Sequence, residues 1–225
     1  IGSTEQHGPT GAIGTDAMTA EAIAYEVGCR TGVLVTPTQV FGMAEHHLGF
    51  PGTMSLQPST LSSVLQDLLL SLASHGFERV FVINGHGGNI ATAKAAFAQV
   101  YSNLNANGES GPPTLFRCRL ANWFLTSEVA KKANELYGSK EGQHATPSEI
   151  AITLHLYPSL LTKHVPLPEP APAGPIYSSD DFRRRHPDGR MGSDPSLAQP
   201  HHGNSLLDMA AGELSVDLIK FINSP

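Results

Sequence analysis

Apolar residues are spaced in two rhythms along this chain. Three short runs, GVLVTP (32–37), RVFVING (79–85) and TLFRCRL (114–120), are continuous rather than alternating. That pattern predicts strands covered on both faces. Elsewhere the apolar positions recur every three or four residues, as on helices. TDAMTAEAIAYEVGCRTG (15–32) starts at Thr15 or Asp16 as a candidate N-cap and ends at a glycine. QPSTLSSVLQDLLLSLASHGF (57–77) stops near Gly76, and NIATAKAAFAQVYSNLNANG (89–108) follows the second strand at once. Further helices are expected at about 126–137, 147–157 and 203–222. Strands alternating with helices predict an α/β fold in three layers, α/β/α, with a mostly parallel central sheet. The stretch 158–202, rich in Pro, Gly, Ser and Asp, reads as a long ordered excursion. With no repeat and no second core in the pattern, one domain over 1–225 is expected.

Charge narrows the partners. The 225 residues carry a net charge of −6, and the longest basic run is the triplet Arg183, Arg184, Arg185. Neither nucleic acid nor an anionic membrane is an expected partner. No apolar run has the length of a membrane span and no signal peptide is visible, so a cytoplasmic location is expected. Cys29 and Cys118 form no CxxC and read as small buried hydrophobes in a reducing compartment. Ile1 stands directly before GSTEQHGP (2–9), and a strand delivering that loop is expected ahead of it.

The chemistry concentrates in three loops. GSTEQHGPTGAIGTD (2–16) offers Glu5, His7 and Asp16, the last of which, taken in isolation, reads first as a helix N-cap. VFVINGHGGN (80–89) is a strand, a glycine-rich turn and a helix start, at the strand end where ligands bind in parallel sheets. Gly85, Gly87 and Gly88 permit close backbone approach, and His86 is either a ligand or a cap. A phosphate cradle competes, although GK[ST] and the G-x-G-x-x-G spacing are absent. Glu, His and Asp from one loop with a His from another form a mixed nitrogen and oxygen set suited to Zn²⁺, Mn²⁺ or Fe²⁺ at a hydrolytic site. In EGQHATPSEIAITLHLYP (141–158), Pro147 fits a first helical turn, placing His144 in the preceding loop and Glu149 in the helix. Each also reads as an ordinary surface group.

The sequence resembles the creatininase (creatinine amidohydrolase) family. The matching pieces are GSTEQHGP…GTD, FGMAEHHLGFPGTMSL, NGHGGN, GQHATPSE and MGSDPSLAQPHHG, in the family's order up to residue 203. The resemblance implies a three-layer α/β/α metalloenzyme, a homo-oligomer and commonly a hexamer, that hydrolyses C–N bonds of cyclic or linear amides with two divalent ions, Zn²⁺ and/or Mn²⁺, with Fe²⁺ possible. It implies that Glu5, Asp16 and His86 hold one ion and that His7, Asp16 and Glu149 hold the other, with Asp16 bridging. His144 matches the family's proton acceptor and donor. Where creatininase carries a ligand Glu two residues after the second-loop histidine, this chain has Gly88, and Glu149 matches the carboxylate that NGHGGN relatives use instead. His47, Gly87, Gly88 and Trp123 are the implied substrate contacts, though His47 also reads as part of a rigid turn. Trp123 is the single tryptophan, whereas creatininase covers creatinine with several, which points to another small-molecule amide. An N-formamide of a pyrimidine is the alternative substrate. A non-catalytic metal-binding scaffold is the alternative class.

Overall fold

Two parallel strands form the centre of the structure, a computed structural model that describes residues 1–106, 115–160 and 167–224. β1 (Arg79–Asn84) pairs with β2 (Arg117–Asn122), setting Val80 opposite Cys118, Val82 opposite Leu120 and Ile83 opposite Ala121. A parallel pair needs a crossover, and the helix between the strands, Asn89–Ala106, lies within it. Successive strand residues point to opposite faces. Val80, Val82, Cys118 and Leu120 therefore meet helices Pro58–Ser74 and Asn89–Ala106 through Leu61, Leu65, Leu69, Ala96 and Phe97. Phe81, Ile83 and Ala121 meet a second cluster containing Ile23, Val129, Ile152 and Leu214.

Seven helices are described. They are α1 (Thr15–Thr31), α2 (Pro58–Ser74), α3 (Asn89–Ala106), α4 (Ser127–Tyr137), α5 (Pro147–Leu156), α6 (Ser179–Arg185) and α7 (Pro200–Ile222). With α2 and α3 on one face of the sheet and α1, α4, α5 and α7 on the other, the order is helices, sheet, helices. The sheet, covered on both faces, has an apolar cluster on each side. At Gly203 an added Cβ would lie 1.9 Å from the Ala151 carbonyl oxygen, so α7 crosses α5 at backbone distance.

Three local expectations need correction. Residues 32–37 form no strand, and Leu34 is 83% exposed. Among the described residues no neighbouring backbone pairs with this segment, and apolar composition without a hydrogen-bonded neighbour makes no sheet. β2 occupies 117–122 rather than 114–120; Leu115 is exposed, Phe116 packs into the α2–α3 core, and Thr114 lies outside the described residues. The 158–202 stretch, of which 161–166 lie outside the described residues, contains α6, whose N-terminus is capped by the Ser178 hydroxyl accepting from Asp181 N–H. No described helix is long and apolar enough to cross a membrane.

Polar side chains tie the loops together at the carboxyl ends of the strands. Asn84 Nδ2 donates to Asn122 Oδ1 at 2.8 Å and to the His86 carbonyl at 2.7 Å. Asn89 donates to the Gly2 carbonyl and accepts from Met43 N–H, joining the first loop, the 40s loop and the glycine turn. The same end of β1 bonds Ile1, through Ile83 O and Gly85 N–H.

Candidate metal centre

Glu5 and His7, two apart on an extended segment, project to one side. The segment is fixed by the Thr4–Met54 bridge and by Gln6 N–H donating to Thr53 Oγ1. Asp16 lies in the first turn of α1, whose N-cap is Gly14 in the left-handed region (φ 89°) with no side-chain cap. Asp16 is therefore not a cap, and its carboxylate is free to face the cluster. Glu149 sits in the first turn of α5, where it forms a capping box with Thr146. His144 follows from a bridge to Met191, and Ala145 next to it holds φ 54°, an uncommon backbone for a residue with a Cβ.

These groups meet in one place. His7 Nε2 lies 2.9 Å from Asp16 Oδ1 and 3.9 Å from Glu149 Oε2. His86 Nδ1 lies 2.9 Å from Asp16 Oδ2 and 3.2 Å from Glu5 Oε1. His144 Nδ1 is 3.9 Å from Glu5 Oε1, and His47 Nε2 is 3.2 Å from it. Glu5, His7, Asp16 and His47 are each at most 3% exposed.

The opposite ring nitrogens show why the imidazoles point this way. His7 Nδ1 is 3.1 Å from the Glu5 carbonyl oxygen, His86 Nε2 is 2.9 Å from that of Met43, and His144 Nε2 is 2.9 Å from that of Gln6. A carbonyl only accepts, so each of those nitrogens carries the hydrogen. The other nitrogen of each ring then faces the carboxylates, as outer-shell carbonyls orient ligand histidines in metal sites.

The sequence reading passed over Gln6, which organises the remaining pair. Its Oε1 accepts from Gly8 N–H at 2.8 Å and its Nε2 donates to the Gly189 carbonyl at 3.2 Å, which settles the amide orientation. The second Nε2 hydrogen goes to His47 Nδ1 at 2.9 Å, so His47 carries its own hydrogen on Nε2, on the Glu5 side, while His144 keeps a free Nδ1. The 3.0 Å approach of Gln6 Nε2 to His144 Nε2 is then a contact of two donors. A glutamine flanked by the two ligand candidates, Glu5 and His7, was the available signal.

Electrostatics follow from burial beside carboxylates. Burial alone would deprotonate His7, but Asp16, Glu149 and Glu5 outweigh it and hold its pKa up at about 10. His86 is likewise raised well above its ordinary value, against burial, by Glu5 and Asp16. Burial would raise Asp16, yet His7 and His86 hold it low. Glu149 is pushed up to about 7 by burial, with His7 opposing and Asp16 adding to the rise. His144 is driven well below the usual range by burial and the His7 charge, and His47 is lowered by burial and by His144. Protons on His7 and His86 thus occupy positions where positive charge is needed. Glu5 Oε1 and Asp16 Oδ2 are buried and accept no aligned hydrogen bond despite the ring nitrogens beside them. Orphaned carboxylate oxygens beside imidazoles whose protons hold the place of positive charge fit divalent cations, which would displace those protons. Close-set donor groups form at Glu5–His7–Asp16, at His7–His144–Glu149 and at Glu5–His47–His144.

The proposed substrate contacts divide. His47 is in the cluster but 1% exposed, so it lies behind the site rather than at a mouth. Gly88 permits close packing, since an added Cβ would meet His86 Nε2 and the Met43 carbonyl, whereas Gly87 faces open space. Trp123 is fully buried in the α4–α5–α7 core, a packing residue outside the cleft. The cleft beside the cluster, about 430 Å³, is lined by Gln6, His7, Gly8, Phe50, Arg183 and Asp188 among others. A larger cleft of about 520 Å³ between α1, α5 and α7 shares none of the cluster's residues, and its Arg30 is paired with Glu26 and Asp208.

The sequence profile of creatininase, described as creatinine amidohydrolase, matches residues 1–218. A mycofactocin precursor peptide peptidase of Mycolicibacterium smegmatis is 38% identical over 104 residues, 44% of this chain and 42% of that protein. A 3-dehydro-scyllo-inosose hydrolase of Thermotoga maritima is 27% identical over 166 residues, 72% of this chain and 50% of that protein. The chain thus spans about half the length of the curated relatives it matches. Among solved structures, a mutant creatininase of the Zn–Zn type superposes with a TM-score of 0.84 at 25% identity, covering 100% of this chain and 89% of that one.

Proposed function

Because the chain belongs to the creatininase (creatinine amidohydrolase) family, we propose that it is a metal-dependent amidohydrolase that cleaves a C–N bond of a small cyclic or linear amide. One observation carries this reading. His7, His86 and His144 are each held at one nitrogen by a backbone carbonyl, and each presents the other nitrogen to buried carboxylates, two of whose oxygens have no hydrogen bond. Glu5, Asp16 and His86 would hold one divalent ion and His7, Asp16 and Glu149 a second, with Asp16 shared. Zn²⁺ and Mn²⁺ both suit this set, and Fe²⁺ is compatible. Bound there, such ions supply water activation and polarisation of the amide oxygen at neutral pH.

The chain's own groups account for the proton. His144 Nδ1 is a free lone pair beside the carboxylates, and burial keeps the ring neutral, ready to accept a proton. Its Nε2–H bond to the Gln6 carbonyl holds the ring in place while Nδ1 receives the proton and returns it to the departing nitrogen. Peptide bonds, lactams and formamides all present the amide carbon this chemistry requires.

Elemental analysis and a hydrolysis screen of cyclic amides, formamides and short peptides, with Zn²⁺ or Mn²⁺ restored, test the reading. His86→Ala is expected to lose metal and hydrolysis together. His144→Ala is expected to keep the metal and lose turnover by roughly 100-fold or more, the size of a general acid–base contribution. A His86→Ala protein that binds two ions and still hydrolyses would refute the assignment.

A further inference from the structure

Among the described residues, the cleft beside the cluster carries one unpaired cation. Of the basic triplet at the end of α6, Arg184 and Arg185 both pair with Asp181, and Arg185 also bonds the Pro175 carbonyl. Among the described residues Arg183 has neither kind of partner. Its guanidinium lies 4.2 Å from the centroid of the Phe50 ring, and both residues line the cleft that His7 and Gln6 line. Stacking occupies the face of the guanidinium and leaves the N–H groups along its edge free to fork an anion. The single acid in the lining, Asp188, is already spent on Arg190, whose Nε and terminal nitrogen reach Asp188 Oδ2 at 2.9 and 2.7 Å. The remaining lining is apolar or engaged: Pro9, Ile13 and Pro51 are apolar, and Gly8 N–H is bonded to Gln6.

We infer that Arg183 is the specificity-determining residue of this cleft and that the substrate is an amide bearing a carboxylate, which the Arg183 edge receives while the amide faces the His7 side. A carboxylate fits better than a phosphate, because one guanidinium balances one negative charge and no backbone N–H nest accompanies it. The inference rests on the amidohydrolase reading for the reacting end, but recognition by Arg183 is a binding property and is measurable without turnover.

The test compares N-acetylglycine with N-acetylglycinamide by calorimetry on the metal-loaded protein, in the native form and as Arg183→Gln and Arg183→Lys. Arg183 is exposed and makes no ion pair among the described residues, so both variants are expected to keep native metal content and melting temperature. The native protein should prefer the carboxylate about tenfold, as expected for a partly exposed charge-assisted contact. That preference should vanish in Arg183→Gln and return in part in Arg183→Lys. If it survives Arg183→Gln, the carboxylate sits on the metal ions and the assignment is wrong. It is equally overturned if the native protein binds both probes alike or neither. Inorganic phosphate displacing N-acetylglycine at equal concentration would overturn the carboxylate class. Loss of amide hydrolysis with the Arg183-dependent preference intact would fault the catalytic reading alone.

Discussion

The carboxylate of Glu149 is divided between two tasks, with Oε1 accepting the Thr146 N–H at 2.6 Å and Oε2 facing His7 at 3.9 Å. The T-x-x-E spacing is a capping box that local sequence alone announces; its second role depends on His7, far away in the chain. Gln6 shows the same division more sharply, since every partner of its amide except Gly8 comes from elsewhere. Gln6→Leu would strip hydrogen bonds from Gly8 N–H, the Gly189 carbonyl and His47 Nδ1. Each buried group left unpaired costs roughly 1–3 kcal/mol, so a clear drop in the denaturation midpoint is expected. In histidine ¹⁵N spectra of the metal-free protein, His47 should lose its single tautomer while His144 keeps the Nε2–H form, because a main-chain carbonyl fixes it. Identical His47 spectra in the two proteins would refute the tautomer assignment.

Elements matter here mainly as carriers of these groups. α5 brings Glu149 and, through the strained Ala145, His144; its position is set by α7, which reaches it at Gly203. Gly203→Ala would put a methyl against the Ala151 carbonyl in a place where neither backbone can yield. Overpacking of this kind costs typically 1–3 kcal/mol, so a lower melting temperature is expected with a loosened Glu149 position. Thermal denaturation with and without Zn²⁺ reads both effects: the variant should show a smaller stabilisation by the metal than the native protein, and an equal one would separate α5 placement from the site. Helical periodicity located α1 to α5 and α7 well, because those helices bury apolar residues in the two core clusters. It missed α6, a single short turn-rich helix with one buried residue, Phe182. It also placed a strand at 32–37, where the apolar run was right and the hydrogen-bonding neighbour was lacking.

For the molecule as a whole, the buried charge cluster links folding to pH. Folding raises the His7 pKa from 6.5 to about 10, and His86 moves the same way. A proton held more tightly in the folded state adds stability that is complete below pH 6.5 and is lost as the pH climbs towards about 10. The metal-free protein should therefore show a falling urea midpoint over that interval, and a flat profile would show that these imidazoles are not held charged. Divalent ions compete with the same protons, so binding near neutrality should release protons in calorimetry run in buffers of different ionisation heat. The loaded protein should lose the alkaline slope.

Much was legible in the sequence alone: the alternation of strand and helix rhythms gave the α/β class, and Glu5, His7 and Asp16 in one short loop, with His86 in a glycine turn after a strand, gave a metal-grade donor set. Both rest on interactions local along the chain, such as side-chain periodicity, turn glycines and the two-residue step that points Glu5 and His7 the same way. The tertiary structure alone decided which of those groups converge, that Asp16 is no cap, that Trp123 belongs to the core, and that Arg183 is the one member of its triplet left facing the cleft. Most of those outcomes depend on residues far apart in the chain, for example Gln6 with His47, 41 positions away, and with Gly189, 183 positions away. Distances of that kind are set by the packing of helices on the sheet, and no local pattern records them.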